Sequence, residues 1–395
     1  MVATSMPSSH SGVPWLAKGF RPFFMVAAVH AVLAVPAWIA VLLGVPWLAP
    51  AANPLEWHAH EMVFGFAGAV LAGFLLTAVG NWTGRATLEG GALAALLAVW
   101  LGGRLAPWLP GAPKLLPLAF DVAFWAGLAL ACARPILVSG NRRNLGFIVL
   151  LSGLLLACVL SHANRLGLWP RQLGLGRMLG VDLVVIAILV MTSRVVPMFT
   201  RNATGATDIV SSPTLDRLAV AGMVLLTISD AAAAPLALSA SLAGFVGVMT
   251  LLRARRWGAE HTRGNALLWP LHLGAAWIGV GLILRCLSAF VPGMPPGVAL
   301  HAITAGGIGV LCLAMMTRVT LGHTGRMLAI PRPMVWAMGA LSLAVFLRVL
   351  GPLLVPSHYP LALGIAALFW SLSFAVYLFV YAGALVSPRV DGRPG

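Results

Sequence analysis

Charge is what this chain has least of: Asp, Glu, Lys and Arg make up 9% of 395 residues, while 60% are hydrophobic. That ratio excludes an ordinary soluble domain, in which about a quarter of the residues are charged. Cysteine is scarce too. Cys132, Cys158, Cys286 and Cys312 fall in four different apolar runs with no CxxC pair. Apolar packing is expected of them, not a disulfide framework or a thiolate metal site. No stretch between the runs is longer than about 20 residues. The expectation is one polytopic membrane domain over 1–395, with cytoplasmic tails at 1–20 and 386–395. The first run is too long for a signal peptide and lacks a small-residue cleavage site, so it is expected to stay as a helix.

What is present is a series of apolar runs, each near the ~20 residues a helix needs to cross a bilayer. There are twelve, at 23–47, 60–80, 91–109, 115–138, 145–163, 174–198, 215–233, 235–252, 266–290, 298–320, 334–355 and 360–385. The seventh and eighth are the weakest, with Asp230 and Pro235 between them. The expected fold is an all-α integral membrane protein of about 12 transmembrane helices. A net charge of +15 would suit nucleic acid, so its placement matters. Eighteen Lys and Arg lie on the side of the N-terminus. Five lie in the opposite loops (Arg104, Lys114, Arg165, Arg171 and Arg177), and Arg285 and Arg348 lie within runs. The positive-inside rule then puts both termini in the cytoplasm. The basic charge reads as topology, with the lipid bilayer as partner and no nucleic acid.

Two imidazoles and a carboxylate open the second run, in Trp57-His58-Ala59-His60-Glu61. Ionisable groups at a membrane span are costly and usually functional. The segment recurs. His60 to Arg85 aligns without a gap on His301 to Arg326, with six identities in 26 positions that include the two histidines, two glycines and a closing Thr-Gly-Arg. A weaker copy closes the sixth run at Asn202-Ala203-Thr204-Gly205. Runs two, six and ten are four apart, which suggests three four-helix repeats with sites where repeats meet. Convergent Gly-rich composition is the competing reading.

With the N-terminus inside, His58, His60, Glu61 and His301 lie near the outer face, and so do His162 and His358. His272 and His323 lie near the inner one. His301 and His323 are separated by roughly 33 Å of helix, so the sequence offers an outer and an inner histidine pole. On an α-helix His58 and His60 point about 160° apart, while His58 and Glu61 share a face. His60 and His301 are therefore the candidate axial pair for one haem, with nearby glycines leaving room for the ring. His58 with Glu61 suits a second metal or a proton path, and His272 with His323 a further metal or proton site. Arg285 can neutralise Asp182 or hold a haem propionate. His30 reads as structural, His10 and His261 as solvated, and pairs such as Met315-Met316 as packing.

The chain resembles the NnrS family at Lys18-Gly19-Phe20-Arg21-Pro22-Phe23-Phe24, at Trp57–Glu61 through Asn81-Trp82-Thr83-Gly84, and at Arg194-Val195-Val196-Pro197-Met198-Phe199-Thr200-Arg201-Asn202. It does so again at Leu271-His272-Leu273-Gly274 and from His301-Ala302-Ile303-Thr304 through Met316–Arg326. The resemblance implies a bacterial inner-membrane protein containing b-type haem and copper, tied to denitrification and tolerance of nitric oxide. The arrangement also resembles the haem-copper oxidase core, where low-spin haem histidines lie on spans two and ten of three four-helix arcs. Here runs six and seven carry no histidine, so the copper triad of that superfamily is missing. Three functions stay open. One is an oxidoreductase acting on nitric oxide through Glu61 and His58 with an unidentified electron donor. The second is a non-catalytic haem protein that binds or senses nitric oxide, and the third a transporter of small solutes or metals.

Overall fold

A computed structural model of the chain describes residues 13–45, 53–168, 174–393 and 395. His10 and Arg171 lie outside them. The described residues form helices and turns, with no strand. This is what a bilayer demands of a spanning segment, because a helix satisfies every backbone N–H and C=O within itself.

Twelve long helices run in chain order: α1 Phe20–Leu42, α2 Pro54–Thr83, α3 Gly90–Leu105, α4 Leu116–Val138, α5 Leu145–Arg165, α6 Leu175–Thr204, α7 Pro213–Ala231, α8 Leu236–Ala254, α9 Trp269–Phe290, α10 Pro296–His323, α11 Arg332–Leu354 and α12 Tyr359–Val386. Each of the twelve apolar runs is thus a helix. Eleven are long and apolar enough to cross a membrane. The exception is α7, one of the two weakest runs, because Asp216, Arg217 and Asp230 all fall within its 19 residues. The protein is a multi-pass, all-α membrane protein.

Neighbours in sequence pack as neighbours in space, and α1 closes against α12. Arg21, buried at the start of α1, donates to the carbonyls of Leu385 at 3.0 Å and Ser387 at 2.7 Å. Both ends of the described chain are therefore on one face. Burial then separates the helices into two classes. In α2, 78% of the central stretch is buried, in α10 67% and in α6 50%, against 44% or less in the other eight spans. The three inner helices are the ones that lie four apart in sequence.

Two of them share an irregularity. A π segment occupies Glu61–Ala67 in α2 and Ala302–Gly309 in α10. Each begins at the residue after the paired histidine, His60 or His301. Single π turns inside α-helices are rare and concentrate at functional sites.

Small residues let the backbones close up, as is usual inside a membrane. The tightest case is Gly176 of α6, where an added Cβ would sit 2.2 Å from the backbone N of Ser161 and 2.5 Å from Ala157 O in α5. Gly176→Ala is expected to destabilise the fold by about 1–3 kcal/mol, the usual cost of overpacking. Thermal unfolding in detergent measures it, and an unchanged midpoint would show that the two helices can part freely.

Candidate functional site

Asn53 starts α2 by accepting a hydrogen bond from the Glu56 backbone N at 3.2 Å, and Pro54 follows at the first helical position. Glu56 then meets Arg177 at 2.7 Å, which joins the N-terminal ends of α2 and α6. From this anchored start, α2 presents its ionisable residues to two different surroundings.

On one side lies a cavity of about 450 Å³, within the ~300–1,000 Å³ of typical ligand sites. It opens between α2, α6 and α10, with α1, α9, α11 and α12 at its edges. His58 and His301 both line it, as do Arg177, Arg285, Arg348 and Asp182 among apolar side chains. The His58 ring stacks on Trp38, centroids 4.9 Å apart and planes within 11°. Its Nδ1 is buried with no hydrogen-bond partner. His301 Nδ1 lies 2.8 Å from Gly297 O. A carbonyl can only accept, so Nδ1 carries the proton and Nε2 holds the free lone pair. Arg348 Nη2 donates to that Nε2 at 3.0 Å.

On the other side, α2 meets a closed polar cluster. His60 Nε2 and His162 Nε2 lie 2.9 Å and 2.7 Å from the same oxygen, Asp121 Oδ2. Arg104 holds Asp121 Oδ1 and, at 2.9 Å, Glu61 Oε2. His30 Nε2 lies 3.3 Å from Glu61 Oε2. Ser161 Oγ lies 3.1 Å from His60 Nδ1. The Cys158 thiol completes a group with His60, Asp121 and His162 whose possible ligand atoms all lie within 4.8 Å of one another. A buried ionic group survives only when its charges are paired and its lone pairs occupied. Arg104 supplies the cation between the two carboxylates, and His30, His60 and His162 supply further partners to their oxygens.

Several expectations change here. His60 and His301 are not brought together: His60 is tied to Asp121 and Ser161, and His58 shares the cavity with His301. Nor do His58 and Glu61 share surroundings, because Glu61 turns to Arg104 and the helix enters its π segment at that residue. The glycines after the histidines leave no room for a macrocycle. A Cβ on Gly68 would meet the Trp125 ring at 3.0 Å, and one on Gly309 the Trp370 ring at 2.6 Å. Arg104 is not a loop charge but a buried one. Cys158 packs among ionisable groups.

The inner pole separates as well. His272 Nε2 lies 3.0 Å from Thr200 Oγ1. His323 lines a second cavity of about 150 Å³ with Met191, Met315 and Asn81, and its ring lies 5.7 Å from that of Phe20. Arg285 does meet Asp182, at 3.4 Å, but its shorter contact is Asp230 at 2.5 Å. His358, in the exposed turn between α11 and α12, meets Ser357 at 3.0 Å. In the exposed loop Ala259–Thr262, His261 lies 2.9 Å from Asp208, whose carboxylate raises the imidazole pKa.

Asp121, Arg104, His162 and Arg348 carry much of this geometry, although at the level of sequence Asp121 was passed over and the other three had a place but no role. Their signal was present: each is an ionisable side chain in or beside a long apolar run. Position repeats too. Arg104 ends α3, Asp230 ends α7 and Arg348 lies in the last two turns of α11, so the third helix of each successive four sends one charge inward.

Over residues 14–389 the chain matches the profile of a family described as NnrS protein. No curated protein matches it.

Proposed function

Since the chain belongs to the NnrS family, membrane proteins linked to the nitric oxide response and to haem and metal binding, we propose that it binds nitric oxide at a haem in the α2/α6/α10 cavity. The observation that carries this reading is the pair His58 and His301. They come from two inner helices and face one ligand-sized space. One imidazole has a buried nitrogen without a partner and the other a nitrogen with its lone pair directed at an arginine. A haem held there would supply an iron able to take a small diatomic ligand.

The residues fit such a group by charge as well as by ligand type. Of the three lining arginines, Arg177 is held by Glu56 and Arg285 by Asp182 and Asp230, which leaves Arg348 to meet a carboxylate of the ligand. Arg348 is the residue best placed to change partners. An arginine cation donating to a neutral imidazole makes a weak pair. Once His301 Nε2 is engaged, the guanidinium is free for a carboxylate.

The same lining favours reversible binding of nitric oxide over its turnover. Its one acid, Asp182, is tied to Arg285, and Glu61 faces the other cluster. Proton supply to the cavity is therefore restricted, whatever the electron donor. Purified, dithionite-reduced protein is expected to shift its haem absorption on adding nitric oxide without consuming it catalytically at an electrode. Sustained consumption would favour the oxidoreductase, and no spectral shift would reject the reading altogether.

The 18 to 5 distribution of Lys and Arg supports both termini in the cytoplasm and the cavity near the periplasmic face of the inner membrane. A reporter fused at the C-terminus is expected to be active only as a cytoplasmic one. A periplasmic signal would invert the cavity.

A further inference from the structure

We propose that His60, Asp121, Cys158 and His162 form a site for one transition-metal ion of the copper or zinc class. This inference is independent of the cavity reading, because the cluster lies on the opposite side of α2 and shares no side chain with the cavity lining.

Convergence is the first argument. Four ligand atoms from α2, α4 and α5 lie within 4.8 Å of one another, all on buried side chains. Two imidazole nitrogens point at a single carboxylate oxygen, at 2.9 Å and 2.7 Å, and the rings stand edge to face with centroids 4.6 Å apart. A tetrahedral ion with bonds of about 2.0–2.2 Å spreads its donors to roughly 3.4 Å. Retreat of the Asp121 carboxylate by about half an ångström therefore converts two hydrogen bonds into three metal bonds.

The second argument is that the surroundings are built to orient the donors. Arg104 fixes Asp121 through the oxygen that the histidines do not use. Ser161 Oγ stands 3.1 Å from His60 Nδ1. A hydroxyl can accept as well as donate, so it can take an Nδ1–H and leave the Nε2 lone pair for the ion. Gly103 admits the carboxylate, since a Cβ there would lie 2.7 Å from Asp121 Oδ1.

The donor set selects the metal class. Two nitrogens, one oxygen and one sulfur are too soft for magnesium or calcium and suit copper or zinc. On binding, Cys158 coordinates as the thiolate.

Cobalt(II) is the probe. Full-length protein stripped with a chelator and titrated with cobalt is expected to bind one ion per chain. Visible bands of a tetrahedral centre and a sulfur-to-cobalt charge-transfer band are expected with it. Cys158→Ser, nearly isosteric, should abolish the charge-transfer band, and His162→Ala should weaken cobalt binding at least tenfold. Elution as a single sharp peak reports the fold of each variant. If His162→Ala does not fold, the band in wild type and its loss in Cys158→Ser decide alone. Metal analysis of the protein as purified separates copper from zinc. Wild type that binds no stoichiometric cobalt, or whose spectrum Cys158→Ser leaves unchanged, overturns the site.

Discussion

His301→Ala is expected to yield a folded protein stripped of its haem. The imidazole supplies the one nitrogen at the cavity wall whose tautomer is fixed by a carbonyl, Gly297 O at 2.8 Å. Axial ligands govern both retention and spin state. His58→Ala, on the facing helix, should keep some haem but turn it high-spin. His60→Ala should leave the haem spectrum untouched, since that ring is 2.9 Å from Asp121 in the closed cluster. Absorption spectra of the three purified variants check this. A normal spectrum from His301→Ala, or loss of haem from His60→Ala alone, would return the ligand role to the pair first suggested by sequence.

The largest effect on stability should come from Arg104→Met. Its guanidinium is the cation between Glu61 and Asp121, and its removal leaves two buried carboxylates facing each other's field. Breaking a buried pair from one side costs about 3–5 kcal/mol, a large share of the roughly 5–15 kcal/mol that holds a typical domain. Thermal unfolding in mild detergent should show a markedly lowered midpoint, with Arg104→Met/Glu61→Gln recovering part of it. Arg348→Met removes a half-buried arginine whose acceptor is a neutral imidazole, so it should spare the fold and weaken cofactor retention. Equal midpoints for Arg104→Met and wild type would mean that the cluster is hydrated.

Much of this architecture was legible in the sequence. Twelve apolar runs became twelve helices because hydropathy and the demand for internal hydrogen bonding leave a membrane segment few alternatives. The inner position of α2 and α10 accords with their many glycines and few charges, whereas α6, with Arg177, Asp182, Arg194 and Arg201, was marked only by its place in the suspected repeat. His301 was legible because it opened an internal alignment. The choice between His58 and His60 was not. Two residues 160° apart face two neighbours, and sequence does not say which neighbour borders the void. Asp121 and Arg104 were separated by a hairpin and came together only in the fold. They could still have been suspected, Asp121 as an acid in an apolar run and Arg104 as a cation at the close of one.

The π segments make length a constrained property of the N-terminal ends of α2 and α10. Each residue added to or removed from a helix turns everything beyond it by about 100°. Deleting one residue within Glu61–Ala67 would swing Trp57 through His60 around the axis relative to Gly73 and Thr77. His58 would leave the void and His60 would leave Asp121 in a single step. A substitution in the same stretch disturbs one contact. The length of this segment thus locks the two histidines to opposite sides of one helix.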